Sequence, residues 1–78
     1  QPIFYVEGLL VLKVSRVGST KQHLRLTLKK GNITIDAVAF GFGEYPVSFN
    51  DTINVMCNLD INSFRDMQSV QLKILDIK

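Results

Sequence analysis

The run His23-Leu24-Arg25-Leu26-Thr27-Leu28-Lys29 alternates polar and apolar residues without a break. On a helix Leu26 would point away from Leu24 and Leu28, whereas on a strand all three leucines share one face. The segment must therefore be extended, with the leucines on a core and His23, Arg25, Thr27 and Lys29 facing water. Lys30-Gly31-Asn32 supplies residues that tolerate a reversal, and Ile33 to Phe40 follows as a second extended run, so the pair predicts a β-hairpin.

The same period recurs on either side. Tyr5 to Val17 predicts a long first strand, with Val6, Gly8, Leu10, Leu12 and Val14 inward and Glu7, Leu9, Val11, Lys13 and Ser15 outward. Gly8 inside it marks a bulge or sharp bend. Val17-Gly18-Ser19-Thr20 reads as a turn. Gly41 to Asp51 is broken by Gly41, Gly43, Pro46, Ser48 and Asn50, and a single helical turn is expected around Glu44 to Ser48. Thr52 to Ile61 predicts the fourth strand. Asn62 to Ser69 reads as a polar connection, and Val70 to Ile77 as the last strand, with Val70, Leu72 and Ile74 inward. Leu9, Val11, Leu75 and Ile77 then form an apolar outer surface suited to docking on a larger body. The fold class is all-β: a five-stranded OB-fold barrel with a short helical insertion between strands 3 and 4, an SH3-like barrel being the rival.

Seventy-eight residues, 46% of them hydrophobic, make one small soluble domain with a thin core. Cys57 is the single cysteine, so no internal disulfide and no cysteine zinc cluster can form, and a reducing, cytoplasmic setting fits best. No apolar run approaches membrane-spanning length, so no membrane partner is expected. A chain that begins at Gln1 rather than Met and ends on a strand pattern is expected to be a domain excised from a larger multidomain protein, with 1–4 the end of a linker and 1–78 the barrel.

Charge is segregated along the sequence. Between Glu7 and Asp36 there is no acid, while Lys13, Arg16, Lys21, Arg25, Lys29 and Lys30 all fall there. A positive face of this kind suits phosphates, although a solvated, solubilising face would show the same pattern. Catalytic constellations are missing: one His, one Cys and scattered acids give no metal-ligand or paired-carboxylate spacing. His23 reads as a surface contact residue, and Cys57 as a small apolar core side chain. Single-strand binders combine a basic track with aromatic platforms, and Phe40, Phe42, Tyr45 and Phe64 are candidate aromatics beyond the first strand. Phe40 reads first as a core or domain-packing aromatic, which a sheet this small needs, and only second as a platform for a base, whereas Phe64 suits either role equally.

Four segments together carry a family resemblance: His23-Leu24-Arg25-Leu26-Thr27-Leu28, Ile35 to Phe40, Leu59-Asp60-Ile61-Asn62-Ser63-Phe64-Arg65, and Val70 to Ile77. In order and spacing the chain resembles the C-terminal OB domain of the RecJ family of single-strand-specific DNA exonucleases, with Gln1-Pro2-Ile3-Phe4 similar to the end of the linker leading into it. The resemblance implies a parent hydrolase that degrades single-stranded DNA from the 5′ end, using Mg or Mn ions held in catalytic domains outside this fragment. It implies that this domain grips the strand and closes the channel leading to the metals. By matching position, His23, Arg25, Asn62, Phe64 and Arg65 are its candidates for DNA contact or motif structure, Asn62 having turn capping as its alternative. The family often has Gly soon after the aromatic, where this chain has Asp66 and Met67.

The combined reading is a non-catalytic, sequence-nonspecific single-stranded DNA-binding domain acting in DNA repair and recombination, with Lys13, Arg16, His23, Arg25, Lys29, Lys30, Phe64 and Arg65 as the nucleic-acid-binding residues. The expected partners are single-stranded DNA and the catalytic domains of the same parent chain. The rival reading is a protein-interaction barrel that braces those domains and touches DNA little.

Overall fold

In the computed structural model, which describes residues 2–78, five strands form: β1 (Phe4–Val17), β2 (His23–Lys30), β3 (Ile33–Ala39), β4 (Thr52–Phe64) and β5 (Met67–Ile77). They close into a barrel in the order β1-β2-β3-β5-β4. Every seam is antiparallel except β3–β5, which is parallel. This is the all-β, five-stranded, OB-type barrel expected. Gln1, the start of the expected linker, lies outside the described residues, and Phe4 opens β1. Among the described residues no helix is long and apolar enough to cross a membrane.

The β2 leucines behave as their spacing requires. Leu24, Leu26 and Leu28 are buried, while Arg25 and Lys29 are exposed and His23 and Thr27 half-buried. Each fully buried leucine contributes about 1.5–3 kcal/mol relative to an exposed one. They pack with Leu9, Val11, Ile53, Val55, Cys57, Ile74 and others in a single cluster. Burial pushes the Cys57 thiol up from its ordinary value, in keeping with an unreactive core side chain.

β1 departs from its expected facing, because it carries two bulges. Between Val6 and Leu9 its register against β4 slips by one residue, and between Val11 and Lys13 its register against β2 slips again. Gly8 sits at the first with φ 73°, and its N–H donates to Asn54 Oδ1 at 2.9 Å. Each slip reverses the facing of the residues after it. Val6 and Val14 at the two ends therefore pack inward as expected, but between the bulges it is Leu9 and Val11, not Leu10 and Leu12, that are buried. A third slip, in β5 opposite Met56 and Cys57, buries Ile77 while leaving Leu75 outside. Three of the four residues assigned to an apolar outer surface thus belong to the core. Val70, expected inward, is exposed.

Residues 40–51 contain turns and no helix, contrary to the insertion expected between strands 3 and 4. The carbonyls a helical turn would need are committed elsewhere. Arg16 Nε donates to the Gly43 carbonyl at 2.7 Å and its Nη2 to that of Tyr45 at 2.9 Å, while the Gly43 N–H donates to the Gln22 carbonyl at 3.0 Å. Pro46 has no N–H to offer. The loop instead lays Val47 into the core, with Phe42 and Tyr45 against it.

The polar connection expected over Asn62 to Ser69 is mostly strand. β4 and β5 pair out to Phe64 and Met67, which leaves a two-residue turn of Arg65 and Asp66, both at positive φ (52° and 63°). That is the turn geometry whose hand matches a twisted hairpin, and it favours glycine. Asp66→Gly is expected to stabilise the domain by about 0.5–1 kcal/mol by relieving the left-handed cost of a side chain. Urea denaturation checks this, and a lower midpoint would mean that the turn does not form this way in solution.

Candidate nucleic-acid interface

The ladder registers arrange the outward side chains in rows running across the strands. One row is Lys13 on β1, Thr27 on β2, Asp36 on β3, Gln71 on β5 and Asp60 on β4. The next is Ser15, Arg25, Val38, Lys73 and Asn58, of which Val38 and Asn58 are buried. Beyond it lie Val17 and His23, with Phe40 just past the end of β3.

Phe40 is 56% exposed although it is an aromatic residue at a strand end. Its ring is held from two sides. His23 meets it edge-on at 5.3 Å between centroids with an 80° interplanar angle, and His23 Nδ1 in turn accepts the Gly41 N–H at 3.0 Å. Lys73 Nζ stands 6.0 Å from the ring centroid. A hollow of about 270 Å³ bounded by Val17, Arg25, Val38, Phe40 and Gln71 lies beside it. A second of about 330 Å³, with Lys13, Ser15, Thr27 and Asp36 in its wall, shares Arg25 with the first. The one ion pair among the described residues joins Lys78 to Asp76 at 3.1 Å, so Lys13, Arg25, Lys29 and Lys73 keep their charge unneutralised by a carboxylate.

The candidates named from the sequence divide into three groups. Lys13, His23 and Arg25 come together on this outer face, and Lys29 lies one row further along it, opposite Thr34 and Leu10. Phe64 and Arg65 sit at the tip of the β4–β5 hairpin, the guanidinium carbon 5.2 Å from the Phe64 centroid, with Phe64 73% exposed. Asn62 lies in β4 opposite Ser69 rather than in a turn. Arg16 and Lys30 do other work: Arg16 holds the 40–51 loop, and the Lys30 ammonium donates to the Glu7 carbonyl beside the first β1 bulge.

Lys73 and Gln71 escaped the sequence reading. They reach the face only because β5 pairs with β3 across the parallel seam, and nothing local in a lysine or a glutamine announces such a neighbour. The signal that existed was alternation, since Gln71 and Lys73 are the polar partners of inward Leu72 and Ile74.

A search of curated proteins finds no match to this chain. The family model of the RecJ OB domain matches residues 1–76. A closed five-stranded barrel with a β3–β5 parallel seam and a family match over nearly its whole length place this chain in the RecJ OB domain family.

Proposed function

We propose that this domain grips single-stranded DNA across the outer face of β1, β2, β3 and β5, as the non-catalytic part of a RecJ-like exonuclease acting in DNA repair and recombination. In this reading hydrolysis from the 5′ end, and the Mg or Mn ions it uses, belong to catalytic domains elsewhere in a cytoplasmic parent protein. The observation that carries the proposal is Phe40: an exposed ring, fixed by His23 and flanked by Arg25 and Lys73.

The physical division of labour follows from those groups. A base stacked on an aromatic side chain contributes about 1–3 kcal/mol without regard to its identity. Cations on either side neutralise the flanking phosphates and release counterions, which supplies affinity and makes it salt-dependent. Phe64 with Arg65 offers a second stacking and charge pair on the hairpin tip.

Fluorescence anisotropy with a labelled oligothymidylate tests the proposal. With four cations engaged, Lys13, Arg25, Lys29 and Lys73, the logarithm of the association constant should fall with the logarithm of salt concentration with a slope of about −3. Duplex DNA should bind more weakly, and an RNA strand serves as the further control. Affinity indifferent to salt would sink the proposal.

A bracing role is the second reading, and a different surface supports it. The outer strand surface first assigned to it is largely core, but an apolar trough of about 430 Å³ lined by Val6, Leu9, Ile33, Ile35 and Leu72 remains open. The hairpin beside it exposes Ile61 and Val70. Such a surface fits packing against another domain of the parent chain.

A further inference from the structure

Asp36 is out of place on a face that binds phosphate. It is exposed in the midst of Lys13, Arg25, Ser15 and Thr27, yet it forms no ion pair, and an ionised carboxylate accepts hydrogen bonds without donating any. A phosphate offers it only repulsion. The groups of a nucleic acid that suit it are the N–H donors on base edges.

The side chain is also oriented. Asp36 Oδ1 accepts the Thr27 hydroxyl at 3.1 Å, which pins the carboxylate across the β2–β3 seam and leaves Oδ2 unused. In the same row Gln71 Nε2 donates to Asp60 Oδ2 at 3.2 Å, so the row Thr27, Asp36, Gln71, Asp60 is a strip of fixed hydrogen-bonding groups rather than loose surface charge. Lys13, in register with Thr27 on the strand beyond, places a donor across the same hollow of about 330 Å³, and Arg25, in the row beside Thr27, adds a second donor to its wall.

Acceptor on one side and cationic donors on the other is a demanding pattern. Guanine meets it best: its N1–H and N2–H₂ donors lie next to each other, matching a carboxylate, while its O6 and N7 accept from Lys or Arg. Thymine and cytosine lack the paired donors, and adenine lacks the O6 acceptor. We infer that the hollow between β1, β2 and β3 takes a guanine base, read by Asp36 with Lys13 and Arg25, so that a grip otherwise indifferent to sequence prefers guanine at one position. The inference rests on the nucleic-acid reading of this face and adds base discrimination to it.

Two measurements separate the inference from that reading. In the first, an oligothymidylate carrying one central dG, dA or dC is compared with the all-thymidine strand by anisotropy. The dG strand should bind about five- to tenfold more tightly, toward the low end of base-edge discrimination because the hollow is open to water. In Asp36→Asn that increment should vanish while all-thymidine binding strengthens, an acid having left a basic face. In the second, amide resonances are followed as guanosine or thymidine monophosphate is added, and guanosine monophosphate should shift Thr27 and Asp36 at lower concentration. If thymidine strands fail to bind but guanosine monophosphate keeps its preference, the strand-gripping proposal falls and the guanine site stands. Equal binding of all four strands with equal response to both mononucleotides overturns the site, as does a preference for any other base.

Discussion

Replacing Arg25 and Lys73 together by glutamate is expected to weaken single-stranded DNA binding by about a hundredfold or more at low salt and to flatten its salt dependence. Each residue offers a charge-assisted hydrogen bond to phosphate, worth about 1.5–3 kcal/mol, and 1.4 kcal/mol is a factor of ten. Loss of two such bonds already reaches the hundredfold range, before repulsion by two new carboxylates is counted. Both residues are exposed and flank Val38 across neighbouring strands, so they form one patch although Arg25 and Lys73 lie far apart in the chain. The barrel should tolerate the exchange, because both side chains are exposed, and an unchanged melting curve is the necessary control. The slope against salt should lose about one unit or slightly more when two phosphate contacts go. If the double variant binds as the parent does, the interface lies elsewhere and the bracing role gains. Under that role the same variant should dock to its neighbouring domain normally.

Gly43→Ala is expected to be the most damaging glycine-to-alanine exchange in this chain. A Cβ there would meet the Lys21 carbonyl oxygen and lie 2.7 Å from the Gln22 carbonyl carbon and 2.8 Å from its Cα. These are backbone atoms, which cannot swing aside as a side-chain tip would. Relief requires the 40–51 loop to lift from the β1–β2 turn, and that would cost the bond from Gly43 N–H to Gln22 and the one from Arg16 to Gly43. The expected destabilisation is about 3 kcal/mol, the upper part of the range for overpacking. A domain of this size has only about 4–12 kcal/mol in total. Melting should fall by about 12 °C or more. Gly31→Ala is the fitting comparison: its φ of 60° penalises a side chain, but open space surrounds it, so about 1 kcal/mol is expected. If the two variants melt together, the close approach at Gly43 does not exist in solution.

What the sequence made legible was periodicity, and what it hid was the places where periodicity slips. β2 could be read outright because it carries no bulge of its own: it pairs in unbroken register with β3, and the slip against β1 is taken up by an extra residue in β1. β1 could be recognised as a strand, and Gly8 as its bulge, yet Leu9 and Val11 were assigned to the wrong face. A second slip at Leu12 restores the original phase by Val14, so the two ends agree with a regular strand and only the middle is inverted. Ile77 was misplaced by the same mechanism in β5. The site was half visible: Lys13, His23 and Arg25 stand on consecutive strands joined by a short turn, so local pattern brings them together. Lys73 and Gln71 come from a partner strand thirty-odd residues away, whose pairing depends on barrel closure and leaves no local mark. Phe40, expected in the core or against a neighbouring domain, stands exposed instead, and the sequence hid this because His23 and Lys73 meet around it only in three dimensions.

The parallel seam has a kinetic meaning as well. Only Asp36–Gln71, Ala37–Leu72 and Val38–Lys73 zip β3 to β5, and the chain between them must form the 40–51 loop, β4 and the Arg65–Asp66 turn before they can meet. Contacts this remote in sequence form slowly, so ring closure is expected to be the late event of folding. Until it happens β3 and β5 each present a bare edge on which another chain can template. The proposed binding face lies astride that seam, with Val38 on one bank and Lys73 and Gln71 on the other. On the proposed function, a nucleic-acid strand laid across it would recognise only the closed ring, and by mass action would hold shut the joint that the chain itself is slowest to make.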